Sequence, residues 1–260
     1  MAVYQRVMDS ALHVPAPLLH QLLALQGPSL GFWRAVEIAA LRQHDYVRPV
    51  LDLGCGDGLV TGLVLPHAEI GVDPYQPALA QAAARGVYDR LIAQPLEMAP
   101  LAARSIGTIL SNSVLEHVPR PERVLRAAAR LLRPGGRLVF TVPTEAFNQW
   151  LMLSSAWYAA WRNGHYEHRN LWPIERWREM LDGAGFGIER VRSYLPRPFV
   201  TAWDGLELAQ RVWLGPHRVF GLVWRRLPAR VLAHLADWAA HIDLAAPPPG
   251  GGRLIVARRR

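Results

Sequence analysis

Three histidines are the side chains in this sequence best suited to moving a proton near neutral pH. His117 follows Glu116 in the stretch Ser111-Asn112-Ser113-Val114-Leu115-Glu116-His117-Val118-Pro119. His165 and His168 lie in the polar run His165-Tyr166-Glu167-His168-Arg169-Asn170. Imidazole titrates close to physiological pH, so each can accept a proton from a hydroxyl or an amine. Polar packing at a helix start would account for Glu116-His117 equally well, and a surface loop for the second run. His-x-x-His without further ligands does not make a zinc site, and no Cys/His cluster has structural zinc spacing. The single cysteine, Cys55, excludes an intramolecular disulfide.

A second set of residues is suited to binding. In Val50-Leu51-Asp52-Leu53-Gly54-Cys55-Gly56-Asp57-Gly58 an apolar run breaks into three glycines at alternating positions. A buried parallel strand that runs out into a tight turn before a helix has this pattern. Glycine takes positive φ cheaply and lets a ligand lie against the backbone. The spacing is G-x-G-x-G, not the G-x-G-x-x-G that cradles a dinucleotide pyrophosphate, so the turn suits a ligand without phosphates. Asp73 ends a second apolar run about 20 residues further on, where a βαβ nucleoside site places a carboxylate for ribose hydroxyls. Such a carboxylate accepts two hydrogen bonds from a cis-diol. Capping of the next helix is the other use for Asp73, and its separation from the glycine turn favours ribose.

These residues need elements to position them, and the sequence supplies a β-α alternation. Strands are expected at Val50–Leu53, Glu69–Asp73, Arg90–Ala93, Thr108–Asn112, Arg137–Val142, Gly187–Tyr194 and Arg253–Ala257. Helices are expected near 59–65, 77–85 and 121–132, the last ended by Pro134-Gly135-Gly136. Such alternation calls for a doubly wound α/β fold, a mostly parallel seven-stranded sheet with helices on both faces. Residues 1–46 read as an N-terminal helical cap, one helix carrying an apolar face of Leu18, Leu19, Leu22, Leu23 and Leu25 and a second from Phe32 to about His44. Residues 47–260 then form the main domain, with a helical insertion at about 195–252.

By its motifs the chain resembles the class I S-adenosylmethionine-dependent methyltransferases, of the small-molecule kind often called methyltransferase type 11. The resemblance rests on V-L-D-L-G-C-G-D-G at 50–58, G-V-D at 71–73, S-N-S-V-L-E-H-V at 111–118 and L-R-P-G-G-R-L-V-F at 132–140. It implies S-adenosylmethionine as cofactor and a Rossmann-like methyltransferase fold. It also implies that Gly54 and Gly56, with Cys55 between them, let the methionine part of the cofactor pass close to the backbone. By the same resemblance Asp52 helps hold the amino group, Asp73 the ribose hydroxyls, Pro74 and Tyr75 flank the adenine, and Asn112 lies under the sulfonium end. Many relatives have an aspartate after the third strand to meet the adenine amino group; Gln94 and Glu97 are the nearest candidates here. Some relatives bind a divalent metal through E-x-x-E-H, but Ser113 stands where the first glutamate should be, so no metal is expected.

Composition narrows the partners less sharply. The chain has 260 residues, 51% hydrophobic and 19% charged, with a net charge of +8. That describes a globular protein with one sizeable core, not a disordered one. Met1 to Ser10 has no apolar h-region, and no stretch reaches the roughly 18 apolar residues of a spanning helix, so a cytoplasmic location is expected. The arginine excess can serve anionic lipid, nucleic acid or an acidic substrate, or reflect a GC-rich genome. The insertion places Trp203, Trp213, Phe220, Trp224 and Trp238 among Arg211, Arg218, Arg225, Arg226 and Arg230, divided by Pro198, Pro216 and Pro228. Short helices of this composition suit a membrane surface through 195–240, a lid over an apolar acceptor, a homodimer interface, or extra packing on the sheet. The expected function is methyl transfer to a small-molecule or lipid-like acceptor, at oxygen or carbon before nitrogen. An RNA methyltransferase and a non-catalytic cofactor-binding protein are the rivals. Nucleic acid is disfavoured because no appended RNA-binding domain and no N/D-P-P-Y/F motif are present.

Overall fold

The computed structural model describes residues 10–214, 217, 218, 220, 223, 224 and 226–260. Pro216 and Arg225 of the insertion, and the side chains of Trp213 and Arg218, lie outside the described residues.

Seven strands form one sheet: β1 (Val50–Leu53), β2 (Ala68–Val72), β3 (Tyr88–Ile92), β4 (Ile106–Asn112), β5 (Leu132–Pro143), β6 (Phe186–Tyr194) and β7 (Gly252–Arg259). Their order across the sheet is β3-β2-β1-β4-β5-β7-β6. The first five run parallel, and β7 is antiparallel to both of its neighbours. This is the Rossmann-like methyltransferase arrangement. The order turns back between β1 and β4, so connections leave to opposite faces there and a crevice opens above the C-terminal strand ends.

Side-chain alternation divides the apolar residues between two cores. On β4, β5 and β7, Leu110, Val139, Leu254 and Val256 enter one core, and their neighbours Ile109, Leu138, Phe140, Ile255 and Ala257 enter the other. The second core is closed by α5 (Pro121–Leu131) and α8 (Ile174–Gly183), which bury Val124, Leu125, Leu131, Trp177 and Leu181. Proline in the first turn of α5, Glu122 beside it and Arg130 in the last turn fit the helix ends and dipole.

The first core is closed by α1 (Ala16–Gln26) and α2 (Pro28–Leu41), with Gly27 at φ 82° making the break between them. Two helices of the insertion join the same core, α9 (Arg197–Ala209) through Val200 and Trp203, and α10 (Ala229–Ala240) through Ala236 and Ala239. The α1–α2 pair and the insertion therefore share one helical layer.

The expected strand and helix bounds shift in two informative places. β5 begins at Leu132, earlier than Arg137, because Leu132 pairs with Ile106 before the register slips at Thr108. The polar run at 165–170 is not wholly a loop. His165 and Tyr166 end α7 (Ala156–Tyr166), which is capped by Ser155 and stopped by Glu167 at φ 54°. Its inward face buries Tyr158, Ala159 and, one turn on, Arg162.

Candidate active site

The glycine turn after β1 has the left-handed backbone its sequence suggests. Gly54, Gly56 and Gly58 all have positive φ, at 73°, 50° and 76°. A Cβ on Gly54 would lie 2.3 Å from a methyl of Val114, so only glycine fits under the β4 turn; at Gly56 a Cβ would meet nothing within 4 Å. Asp73, just beyond β2, reaches across to this turn. One carboxylate oxygen accepts from the Gly56 N–H at 2.9 Å and the other from the Tyr75 N–H at 2.8 Å. Pro74, Tyr75 and Gln94 are exposed around the same strand ends.

Asp52 and Cys55 face inward from this turn. Asp52 is buried and accepts hydrogen bonds from Thr61 Oγ1 at 2.5 Å and Tyr88 Oη at 2.6 Å. Burial pushes its carboxyl up to about 6, against the pull of those two hydroxyls. The Cys55 thiol is buried against Gly71 and is likewise pushed up by burial, then by Asp52.

Asn112, at the end of β4, is held on both sides. Thr141 Oγ1 donates to its Oδ1 at 3.0 Å, and its Nδ2 donates to Glu37 Oε2 at 3.0 Å. Glu37 comes from α2 and is fully buried. Its carboxylate also takes Ser113 Oγ at 2.5 Å, Arg34 Nη1 at 2.9 Å and Trp33 Nε1 at 3.1 Å. A buried carboxylate is tolerated when it is this fully satisfied. The sequence reading passed over Glu37. The available signal was a lone acid inside the apolar run Ala35-Val36-Glu37-Ile38-Ala39-Ala40-Leu41.

Beyond Asn112 and Ser113 lies a cavity of about 120 Å³. Its walls come from α2 (Leu30, Trp33, Arg34), the turn after β4 (Ser113, Glu116, His117), α6 (Phe147–Trp150) through Phe147, α7 through Tyr166, and α9 through Trp203. Trp33, Phe147 and Trp203 meet in edge and tilted contacts with centroids 5.1–6.1 Å apart. Behind this wall, Arg162 of α7 and Asp204 of α9 form a fully buried ion pair at 2.7 Å, and Tyr158 Oη donates to Asp204 at 2.7 Å. The Arg162 guanidinium lies 5.0 Å from the Tyr166 ring centroid and 5.5 Å from that of Trp203.

Two of the three histidines come together here. His117 and His168 line the cavity with ring centroids 5.4 Å apart, and Phe147 is edge-on to His168 at 5.2 Å. Burial lowers His117 and takes His168 down to about 3, so His168 is neutral at physiological pH. His165 lies apart from them. It is exposed, 3.4 Å from Arg211, and is lowered by partial burial and then by that cation. Glu116 is 1% exposed, and burial with the nearby Glu37 charge pushes it up to about 8. Among the described residues no group of three or more His, Cys, Asp or Glu side chains is arranged to hold a metal ion.

Residues 16–191 match the family described as "Methyltransferase domain". The chain belongs to this family of S-adenosylmethionine-dependent methyltransferases. Ubiquinone biosynthesis O-methyltransferases from Citrobacter koseri and Escherichia fergusonii are each 31% identical to it over 112 residues. The match covers 40% of this chain and 46% and 47% of theirs, just under half of those relatives' length. A geranyl diphosphate methyltransferase, solved with GPP and sinefungin, aligns over 100% of this methyltransferase and 91% of its own chain, at TM-score 0.60 and 16% identity. A methyltransferase from Thermotoga maritima aligns over 94% of this chain and 92% of its own, at TM-score 0.58 and 18% identity. These two likenesses are of fold. No described helix is long and apolar enough to cross a membrane.

The insertion is less of an outward surface than its composition suggests. Trp203 is buried, and Trp224 donates to the Leu23 carbonyl at 3.1 Å and stacks on Phe220. Trp238 remains largely exposed. Its α9 helix walls the cavity through Trp203, and nothing local in the sequence marks Trp203 as facing Trp33.

Proposed function

We propose that this methyltransferase transfers a methyl group to the oxygen or carbon of a small-molecule or lipid-like acceptor bound in the aromatic cavity beside Asn112. The observation that carries this reading is the cavity itself. It begins at Ser113, the residue after Asn112, and it is walled mainly by rings, with the Arg34 guanidinium on its wall paired with Glu37. Its size is that of a single small ring, since about 150 Å³ holds benzene.

The donor side fits S-adenosylmethionine. Gly56 leaves open the space a side chain would fill, and Asp73 presents a carboxylate at the end of β2 beside it. In this reading Gly54, Cys55 and Gly56 pass the methionine part, Asp73 holds the ribose, and Pro74, Tyr75 and Gln94 border the adenine. Asp52 braces the turn from beneath through Thr61 and Tyr88, and Asn112 carries the polar end next to the acceptor. When bound, the cofactor supplies a methyl group on a positively charged sulfur. The protein then contributes alignment and exclusion of water, worth several kcal/mol in a well-oriented pair (roughly 7–11 at the extreme). Glu37 fixes Asn112 and Ser113, and the ring wall keeps the cavity apolar. His117 and His168 are the imidazoles placed to meet an acceptor; His165 lies outside the cavity.

Calorimetry with S-adenosylhomocysteine, followed by turnover on a panel of small phenols, carbon acids and amines, tests the proposal. Lack of any S-adenosylhomocysteine binding would sink the donor assignment. Turnover on amines alone would replace the oxygen-or-carbon reading.

For a lipid-like acceptor, apolar exposure supports a docking face at Met152, Leu153, Trp157 and Trp161, where Trp157 is 73% exposed. This face adjoins α9 through Met152, whose N–H bonds Asp204. Flotation with anionic liposomes checks it, and no binding at low salt would remove the membrane arm.

A further inference from the structure

We propose that Glu116 is a catalytic residue: its Oε2 accepts the hydroxyl proton of a flat, single-ring acceptor seated against Trp33, Phe147 and Trp203. This rests on the proposed acceptor cavity and adds to it the group that receives the proton.

Glu116 Oε2 is buried and has no hydrogen-bond partner among the described residues, and Glu116 lines the cavity. An unpartnered buried carboxylate oxygen is costly, so a site that keeps one has a use for it. The other charged groups of the site are already engaged. Glu37 is filled by Trp33, Arg34, Asn112 and Ser113, and Asp204 is paired with Arg162. A second buried polar atom without a partner among the described residues is Nε1 of Trp203, a residue that also lines the cavity. A ligand that donates to Glu116 would fill the first vacancy. A ring with a hydroxyl has that form.

The groups facing Glu116 set its proton affinity. Glu37 and Arg34 face it from α2, His117 from its own turn, and Tyr194 from β6. Burial is the dominant influence and holds the carboxyl up to about 8, near the working pH where a general base is most effective. His168, at about 3, is a poor proton acceptor by comparison. In the reaction the hydroxyl proton passes to Oε2, and the freed oxygen pair forms the bond to the methyl carbon. The carbon–sulfur pair leaves with sulfur. The proton then departs through His117, whose Nε2 lies 3.7 Å from Glu116 Oε1 and whose side chain is 38% exposed.

The test uses phenol, which stays neutral up to about pH 9, titrated by calorimetry into the full chain saturated with S-adenosylhomocysteine. Its affinity is expected to rise about tenfold between about pH 7 and pH 9, as Glu116 loses its own proton and becomes an acceptor. Glu116→Gln is expected to hold the affinity flat across that range while still binding S-adenosylhomocysteine. Glu116→Asp is expected to recover part of the rise, and His117→Ala to keep it. A flat profile in the wild type, a rise that survives Glu116→Gln, or no phenol binding to a chain that binds S-adenosylhomocysteine would each overturn the proposal. Failure of S-adenosylhomocysteine to bind the wild-type chain would instead strike the donor assignment, and is read separately by calorimetry.

Discussion

The proposed donor end and the proposed acceptor end of this site are built in opposite ways. The donor end is assembled from two consecutive strand exits, β1 and β2, and the loops that leave them. Its contacts are mostly backbone, such as Gly56 N–H and Tyr75 N–H on Asp73. The acceptor end draws Trp33, Glu116, Phe147, Tyr166 and Trp203 from five separate places in the chain. It is held by buried side-chain charge, Glu37 in front and Arg162–Asp204 behind. A backbone site can stay constant while side chains change around it. A site made from side chains of many elements depends on each of them.

Variants should therefore separate the two ends by what they damage. Asp204→Ala leaves Arg162 buried without its carboxylate and is expected to cost about 3–5 kcal/mol in denaturant unfolding, the largest effect. A loss below about 1 kcal/mol would show that the wall is not welded by this pair. Gly56→Val is next and acts at the other end. A side chain there fills open space, so S-adenosylhomocysteine affinity is expected to fall about a hundredfold by calorimetry, with only about 1–2 kcal/mol lost from the positive φ. Asp73→Asn keeps the shape and removes the charge, and about a tenfold loss in the same affinity is expected.

An effect of similar size is expected in the pH profile of stability. Glu116 and Asp52 have raised carboxyl values in the folded chain, about 8 and about 6. Between the ordinary carboxylate range and those values the native state holds more protons than the unfolded one, so these groups lower stability as pH rises. Glu116→Gln should therefore gain on the wild type between about pH 5 and pH 8, by on the order of 1–2 kcal/mol, in unfolding curves taken across that window. His44 and His168, lowered to about 4 and about 3, act in the opposite sense below the ordinary histidine value. The comparison must therefore be with the variant at each pH.

The same contrast explains what could be read without coordinates. The glycine turn with Asp73 beside it was legible because local geometry demands those residue types at short spacing, and β4 and β5 because apolar strands end in marked turns; Asn112 was singled out only through the family resemblance. Glu37 was not legible, since its partners Asn112 and Ser113 are far along the chain. The pairing of His117 with His168, and the separation of His165 from both, depend on where α7 ends. That end is set by Glu167 in the left-handed region, a conformation the sequence does not advertise. Trp203 was legible only as part of an aromatic-rich segment. Whether it faced a cavity, a membrane or solvent was decided by α2, which lies near the other end of the chain.

The Arg162–Asp204 pair also constrains how this enzyme can be re-engineered. The family match ends at residue 191, and Asp204 lies past it, on the segment whose Trp203 walls the cavity. Residue 162 lies within the match. Grafting a relative's segment in place of 195–252 would orphan the guanidinium at 162 unless that position travels with it. Position 162 and segment 195–252 therefore behave as a linked pair, and a chimera carrying both should express and melt normally where the single graft does not.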